Sequence, residues 1–184
     1  MSFYKKYLEK FNIASSSIDE NAIFSLANKI KNCWDNNQQV FFCGNGGSAG
    51  NANHLVNDFY YGIIRKKGKG IRAISLCANT SLITCLANDT GYENIFSEQI
   101  ANQGNQGDLL IVLSGSGNSK NIIKSILEAK NKKIITAGII GYDGGKAKQI
   151  LDLCIHVKIN DMQISEDFQL VIGHMIMQNL SKMI

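Results

Sequence analysis

Short apolar runs rich in β-branched residues alternate with helical patterns along most of this chain. The five runs cover residues 39–43, 71–76, 109–113, 133–137 with the apolar residues that follow it, and 153–159. Between them, apolar residues recur at helical spacing over roughly 48–62, 80–88, 94–103, 119–130 and 145–150. Because the runs are too apolar for strands with one solvated face, they favour a parallel sheet covered by helices on both faces. We therefore predict an α/β fold with a doubly wound five-stranded parallel sheet, an α-β-α sandwich.

Two helices are predicted ahead of the sheet and one long helix after it. Apolar residues at helical spacing between Phe3 and Phe11 indicate the first helix. Ser17 and Glu20 have the Ser-x-x-Glu spacing of a capping box, which predicts the start of the second helix. The last helix is predicted over about 163–183. With 184 residues and no linker or repeat, the chain is predicted to form a single domain, 1–184.

The last helix is apolar on two sides. Its predicted core stripe comprises Phe168, Val171, Ile172, Met175 and Ile176. On the other side lie Leu170 and Met177, flanked by Gln163, Glu166 and His174. Because a helix that is apolar on two sides is buried on two sides, we expect this second side to contact another subunit.

Composition excludes several classes of protein. The net charge of +4 suits an anionic small molecule but is too small for a nucleic-acid-binding surface. No segment approaches the length of a membrane span, and the N-terminus lacks the apolar core of a signal peptide. The five cysteines lack CxxC spacing, and most of them are expected to be buried thiols. We expect a cytoplasmic protein that binds neither nucleic acid nor membrane.

Two strand-to-helix loops have the composition of phosphate-binding sites. The first, Gly44-Asn45-Gly46-Gly47-Ser48, follows the first strand, and the second, Ser114-Gly115-Ser116-Gly117-Asn118-Ser119, follows the third. Glycine lets the backbone approach an anion closely, and the free N–H groups at a helix start complement negative charge. Turn and capping preferences alone would explain one such loop, but two in one small domain favour phosphate binding. Neither loop matches the ATP-binding GxxxxGK[ST] pattern, and the first departs from GxGxxG.

These loops resemble the two signature loops of sugar isomerase (SIS) domains. The resemblance covers nearly the whole chain and is greatest to the phosphoheptose isomerase branch of that family. It rests on residues 43–49 with Asn53 and His54, on 113–119, on 86–89 with 95–97, on 143–145, and on Glu166 with His174. The resemblance implies ketose–aldose isomerisation of sedoheptulose 7-phosphate through an enediolate, feeding bacterial surface heptose synthesis, in a homotetramer with interfacial active sites.

The resemblance also implies the roles of individual residues. Asp58, Glu166 and His174 are the implied catalytic residues, and His54, Asp58, Glu166 and His174 are the implied metal ligands. Two nitrogen and two oxygen ligands suit tetrahedral zinc. The implied substrate-binding residues are Asn45, Gly46, Gly47, Ser48, Asp89, Ser114, Gly115, Ser116, Ser119 and Glu166, with Asp89 reaching a neighbouring site.

Several alternatives stay open at this point. Asp58 stands where the family usually has glutamate, and Glu166 stands where it usually has glutamine, so either carboxylate could be the base. A metal-free site in which carboxylate and histidine act directly is also compatible with these residues. The alternative functions are isomerisation of another phosphosugar, or a non-catalytic SIS module that binds a sugar phosphate or a replication-initiator protein. The basic run at residues 65–69 is interpreted as a solvated loop.

Overall fold

Five parallel strands form the central sheet of the computed structural model, which describes residues 1–62 and 68–182. The strands are β1 (Val40–Gly44), β2 (Ala73–Ser75), β3 (Leu109–Ser114), β4 (Ile135–Ile140) and β5 (Leu153–His156), in the order β2-β1-β3-β4-β5. All four strand pairs are parallel. The predicted doubly wound sheet is confirmed.

Eight α-helices are found in the described part of the chain. They are α1 (Phe3–Ser16), α2 (Glu20–Asp35), α3 (Gly47–Asn57), α4 (Thr80–Asp89), α5 (Ser97–Gln103), α6 (Lys120–Asn131), α7 (Gly145–Ile150) and α8 (Met162–Leu180). A π-helical turn, Asp58–Gly62, continues α3, and a 3₁₀ turn, Tyr92–Asn94, precedes α5. None of the described helices is long and apolar enough to cross a membrane.

The two faces of the sheet are covered by different helices. On one face, Phe42, Ile111 and Ile155 pack in a core with side chains from α2, α3 and α8. On the other face, Phe41 and Val112 pack with side chains from α5, α6 and α7. Both faces of the strands are therefore buried, as the continuous apolar runs required.

Three predicted strands had inaccurate ends, each for a local reason. The predicted strand 71–76 forms only from Ala73 to Ser75: β1 begins at Val40, which lies level with Ala73, and the Arg72 carbonyl accepts the N–H of Val40 at 2.9 Å just before the strand begins. The predicted strand 153–159 stops at His156, which pairs with the last residue of β4. The predicted strand 133–137 starts later, because Lys133 has a φ of +58° and turns the chain after α6.

The predicted capping box at the start of α2 is wrong. Ser17 lies at the end of α1, where its hydroxyl donates to the carbonyl of Ala14 at 2.7 Å. The N-cap of α2 is Asp19, whose Oδ1 accepts the N–H of Asn21 at 2.9 Å. Asp19 thus caps α2 in place of Ser17, because serine and aspartate are both favourable N-cap residues.

The faces of α8 also differ from prediction. Met175, placed in the core stripe, is 44% exposed, whereas Gln169 is fully buried. Leu170 and Met177 are half-buried against the chain's own core. This side of α8 therefore does not by itself require a second subunit.

Helix α1 is fixed against α8 by both apolar and polar contacts. Phe11 stacks on Phe168 with ring centroids 4.3 Å apart, and Lys10 forms an ion pair with Asp161 at 2.9 Å. The Tyr7 hydroxyl donates to the Asp167 carboxylate, and this hydrogen bond raises the pKa of Tyr7 to about 12.

The basic run at residues 65–69 lies mostly outside the described residues.

Candidate active site

The two predicted phosphate loops meet at the point where the strand order reverses. Strands β1 and β3 are neighbours, and Gly44 at the end of β1 pairs with Leu113 near the end of β3. The loops that follow them therefore leave the same edge of the sheet side by side. In open α/β sheets this topological switch point is where ligands bind.

A cleft of about 280 Å³ lies between the two loops. It is lined by Asn45, Gly46, Gly47, Ser48, Leu113, Ser114, Gly115, Ser116, Ser119, Met162 and Glu166. Every residue predicted to contact substrate lines this cleft except Asp89. The structure thus brings together in space what the sequence places in two loops and a distant helix.

The cleft presents hydrogen-bond donors to a ligand. Ser114 Oγ accepts the N–H of Gly117 at 3.0 Å, and Ser116 Oγ accepts the N–H of Asn118 at 3.2 Å, so both hydroxyl hydrogens point elsewhere. Ser119 is the N-cap of α6 but makes no capping hydrogen bond with its side chain. The N–H of Ile122 donates to Asn121 Oδ1 at 2.9 Å, which leaves the N–H groups of Lys120 and Asn121 at the start of α6 for a ligand. Free N–H groups at a helix start and serine hydroxyls are the donors that a phosphate requires.

Glu166 is the only charged side chain among the residues that line the cleft. Its carboxylate lies directly over Gly47 at the start of α3, where any side chain would collide with it. A side chain at position 47 would require the Glu166 carboxylate to shift from this place. The carboxylate lies beside the positive end of α3, a position that an anionic group favours.

An amide bridge that the sequence did not suggest links the two loops. Asn45 Nδ2 donates to Asn121 Oδ1 at 2.9 Å, and Asn121 Nδ2 donates back to Asn45 Oδ1 at 2.8 Å. The Tyr92 hydroxyl also donates to Asn45 Oδ1 at 2.9 Å. This reciprocal pair joins the loop after β1 to the first turn of α6 and fixes the width of the cleft.

A second group of functional side chains lies further along α3, facing α8. His54 Nε2 lies 3.0 Å from His174 Nε2, and Asp58 Oδ2 lies 3.3 Å from the first and 3.2 Å from the second. His54 and Asp58 are one helical turn apart, and Asp58 begins the π-helical turn that continues α3. The Asp58 side chain is 20% exposed, whereas the two histidines are 48% and 40% exposed. The three side chains form a solvent-accessible triad of two imidazoles and one carboxylate.

Glu166 and Asp89 lie away from this triad. The ligand atoms of His54, Asp58 and His174 all lie within 4.8 Å of one another, and Glu166 is not part of that group. Eight residues of helix, about 12 Å, separate Glu166 from His174. Asp89 is exposed at the end of α4, where its carboxylate accepts a hydrogen bond from Asn88 Nδ2 at 2.7 Å.

Comparison with known proteins identifies relatives over most of the chain. The SIS domain model matches residues 4–141. A phosphoheptose isomerase 2 from Campylobacter jejuni is 37% identical over 86% of this chain and 80% of its own. A phosphoheptose isomerase from Fusobacterium nucleatum is 33% identical over 99% of this chain and 95% of its own. The structure of a phosphoheptose isomerase from Neisseria gonorrhoeae, 25% identical, aligns with a TM-score of 0.89 over 97% of this chain and 95% of its own.

Proposed function

The chain belongs to the SIS-domain family, in its phosphoheptose isomerase branch, and on that basis we propose that it interconverts sedoheptulose 7-phosphate and D-glycero-D-manno-heptose 7-phosphate. It is an aldose–ketose isomerase that serves heptose synthesis. The observation that carries the choice of substrate class is the pairing of a donor-lined cleft at the start of α3 with a separate acid–base triad at the other end of α3, which His174 of α8 completes.

The separation of the two sites favours a long phosphosugar. Ser48 lines the cleft, and His54 lies six residues further along α3, about 9 Å along the helix axis. A heptose 7-phosphate carries its phosphate at one end and its reacting carbons, C1 and C2, at the other. With the phosphate in the cleft, the C1–C2 end extends along α3 toward the triad.

The triad supplies the proton transfer that isomerisation requires. Asp58 is the base: its carboxylate moves a proton between C1 and C2 and is oriented by the imidazoles on either side of it. In a metal-free site His174, on the facing helix, donates a hydrogen bond or a proton to the sugar oxygen as negative charge develops there; with zinc bound it would be a ligand of the ion instead. Glu166 lies in the phosphate cleft and takes no part in this step.

The same three residues suit a zinc ion. Tetrahedral ligands of zinc at their usual bond lengths lie roughly 3.3 Å apart, and the three ligand atoms of the triad lie 3.0–3.3 Å apart. His54, His174 and the Oδ2 atom of Asp58 would hold the ion, and the other carboxylate oxygen of Asp58 would stay available for the proton transfer. Zinc bound there would polarise the sugar carbonyl and lower the pKa of the adjacent C–H.

The test of the reaction is turnover of defined phosphosugars by the purified protein. We expect aldose product from sedoheptulose 7-phosphate, with much lower kcat/KM on fructose 6-phosphate and ribulose 5-phosphate. Faster turnover of either shorter ketose would assign a different substrate. No turnover of any of the three, by protein loaded with zinc, would contradict an enzymatic function.

We also propose that the active protein is a homotetramer with sites between subunits. Helix α1 is fixed on α8, yet it exposes Phe3 (88%), Tyr4 (62%) and Ile13 (57%). Tyr60 and Tyr61 are also more than half exposed, on the π-helical turn that begins with Asp58. Exposed apolar surface of this kind is typical of an interface. Asp89 lies outside the chain's own cleft, and the family resemblance implies for it a role in a neighbouring site.

Replacing the exposed apolar residues of α1 is expected to dissociate the assembly. F3D/I13D should shift the mass measured by light scattering from tetramer to smaller species, because charge in a buried interface is costly. S2D/N12D, which adds the same two negative charges at exposed positions directly next to Phe3 and Ile13, is the matched control for helix stability. A wild-type protein that is monomeric at micromolar concentration and still active would contradict the proposal.

A further inference from the structure

A buried amide network lies between α3 and α8, next to the cleft. Gln169 of α8 is fully buried, and its Nε2 donates to Ser48 Oγ at 3.0 Å. Its Oε1 accepts a hydrogen bond from Asn51 Nδ2 at 2.9 Å. Asn51 Nδ2 also donates to the backbone carbonyl of Glu166 at 3.0 Å.

The backbone carbonyl sets the direction of every hydrogen bond in this network. A carbonyl oxygen can only accept, so the amide group of Asn51 that faces it must be the NH₂ group. Gln169 must then turn its oxygen toward Asn51 and its NH₂ group toward Ser48. Ser48 Oγ is thereby the acceptor, and its own hydrogen is left for another partner.

That hydrogen has no protein acceptor in the described part of the chain. Ser48 is 3% exposed, lines the cleft, and makes no other side-chain hydrogen bond to the described residues. A buried hydroxyl hydrogen without a partner is costly, so a ligand acceptor in the cleft satisfies it. The oxygens of a phosphate ester dianion can only accept hydrogen bonds, so such a ligand matches the free hydroxyl hydrogen of Ser48.

We propose that Gln169 is a positioning residue that aims the Ser48 hydroxyl hydrogen at the phosphate of the substrate. The inference rests on the proposed function only in taking the cleft as the phosphate site. Gln169 touches neither substrate nor the acid–base triad and acts through Ser48. Removing it should weaken phosphate binding and leave the chemical step nearly unchanged.

The test is a double-mutant cycle read by calorimetric binding of inorganic phosphate. Q169M keeps the size of the side chain but no longer fixes the hydroxyl, and we expect binding to weaken several-fold. In Q169E one carboxylate oxygen still accepts the hydrogen bond from Asn51, but the other accepts from Ser48 and so turns the Ser48 hydroxyl hydrogen away from the cleft. We expect the phosphate affinity of Q169E to fall tenfold or more. In an S48A background, Q169M should change the Kd less than twofold, because the hydroxyl it acts through is absent.

Control variants separate positioning from stability. Q99M removes another buried glutamine, which donates to the Leu76 and Ile95 carbonyls away from the cleft, and should lower Tm without changing the phosphate Kd. With the sugar substrate, Q169M should raise KM while kcat stays within about threefold. An equal loss of phosphate affinity from Q169M with and without Ser48, or none in either background, would overturn the proposal. Since phosphate binding needs no turnover, the cycle remains decisive even for a protein that fails to isomerise the heptose.

Discussion

Asp58→Asn is expected to lower kcat by about 10²–10⁴-fold, the usual contribution of a positioned general base. The amide cannot accept a proton from carbon, although it keeps the size of the side chain beside His54 and His174. D58E has a carboxylate at this position, with the side-chain length usual in the family, and should therefore keep most of the wild-type kcat that D58N loses. D35N, at an exposed carboxylate paired with Lys31, is the control for a change of charge alone.

Glu166→Gln distinguishes the two carboxylates that the sequence leaves open as the base. Because Glu166 lies in the phosphate cleft, removing its charge should strengthen binding of the anionic substrate and lower KM, with kcat changed by less than tenfold. If D58N keeps more than a tenth of the wild-type kcat while the kcat of E166Q falls below a tenth, Glu166 is the base and the role given to Asp58 is wrong.

The fold could be predicted because its signals are local. Runs such as 109–113 are short, β-branched and apolar on both faces, which favours central strands over helices. The glycine and serine loops after β1 and β3 mark the start of helices. The strand ends could not be predicted, since Ser75 and His156 end their strands where a neighbouring strand stops pairing. Pairing is a property of the assembled sheet, not of the segment.

The candidate site was predicted in its loops but not in its internal hydrogen bonds. His54 and Asp58 share a helix face by spacing alone, but their distance from His174 depends on how α8 packs on α3. In the sequence Gln169 is one polar residue among Phe168, Leu170 and Val171. Nothing in this local pattern distinguishes a buried glutamine from an exposed glutamine. Asn121 likewise gives no signal, because its partner Asn45 is 76 residues away.

Removal of metal is expected to abolish most of the activity and to lower thermal stability. At a free zinc concentration 100 times the Kd, binding to the folded state contributes about 2.7 kcal/mol. For a chain of this size that raises Tm by roughly 5–10 °C, a readout independent of turnover. H54A and H174A should lose this shift and the bound zinc, whereas H156A should keep both, because His156 lies outside the triad and contacts the Tyr142 carbonyl. Binding should weaken as pH falls, since the imidazoles must be deprotonated to bind the ion. Full activity in chelated protein with no detectable metal would exclude the zinc proposal and leave Asp58 and His174 to act directly on the sugar.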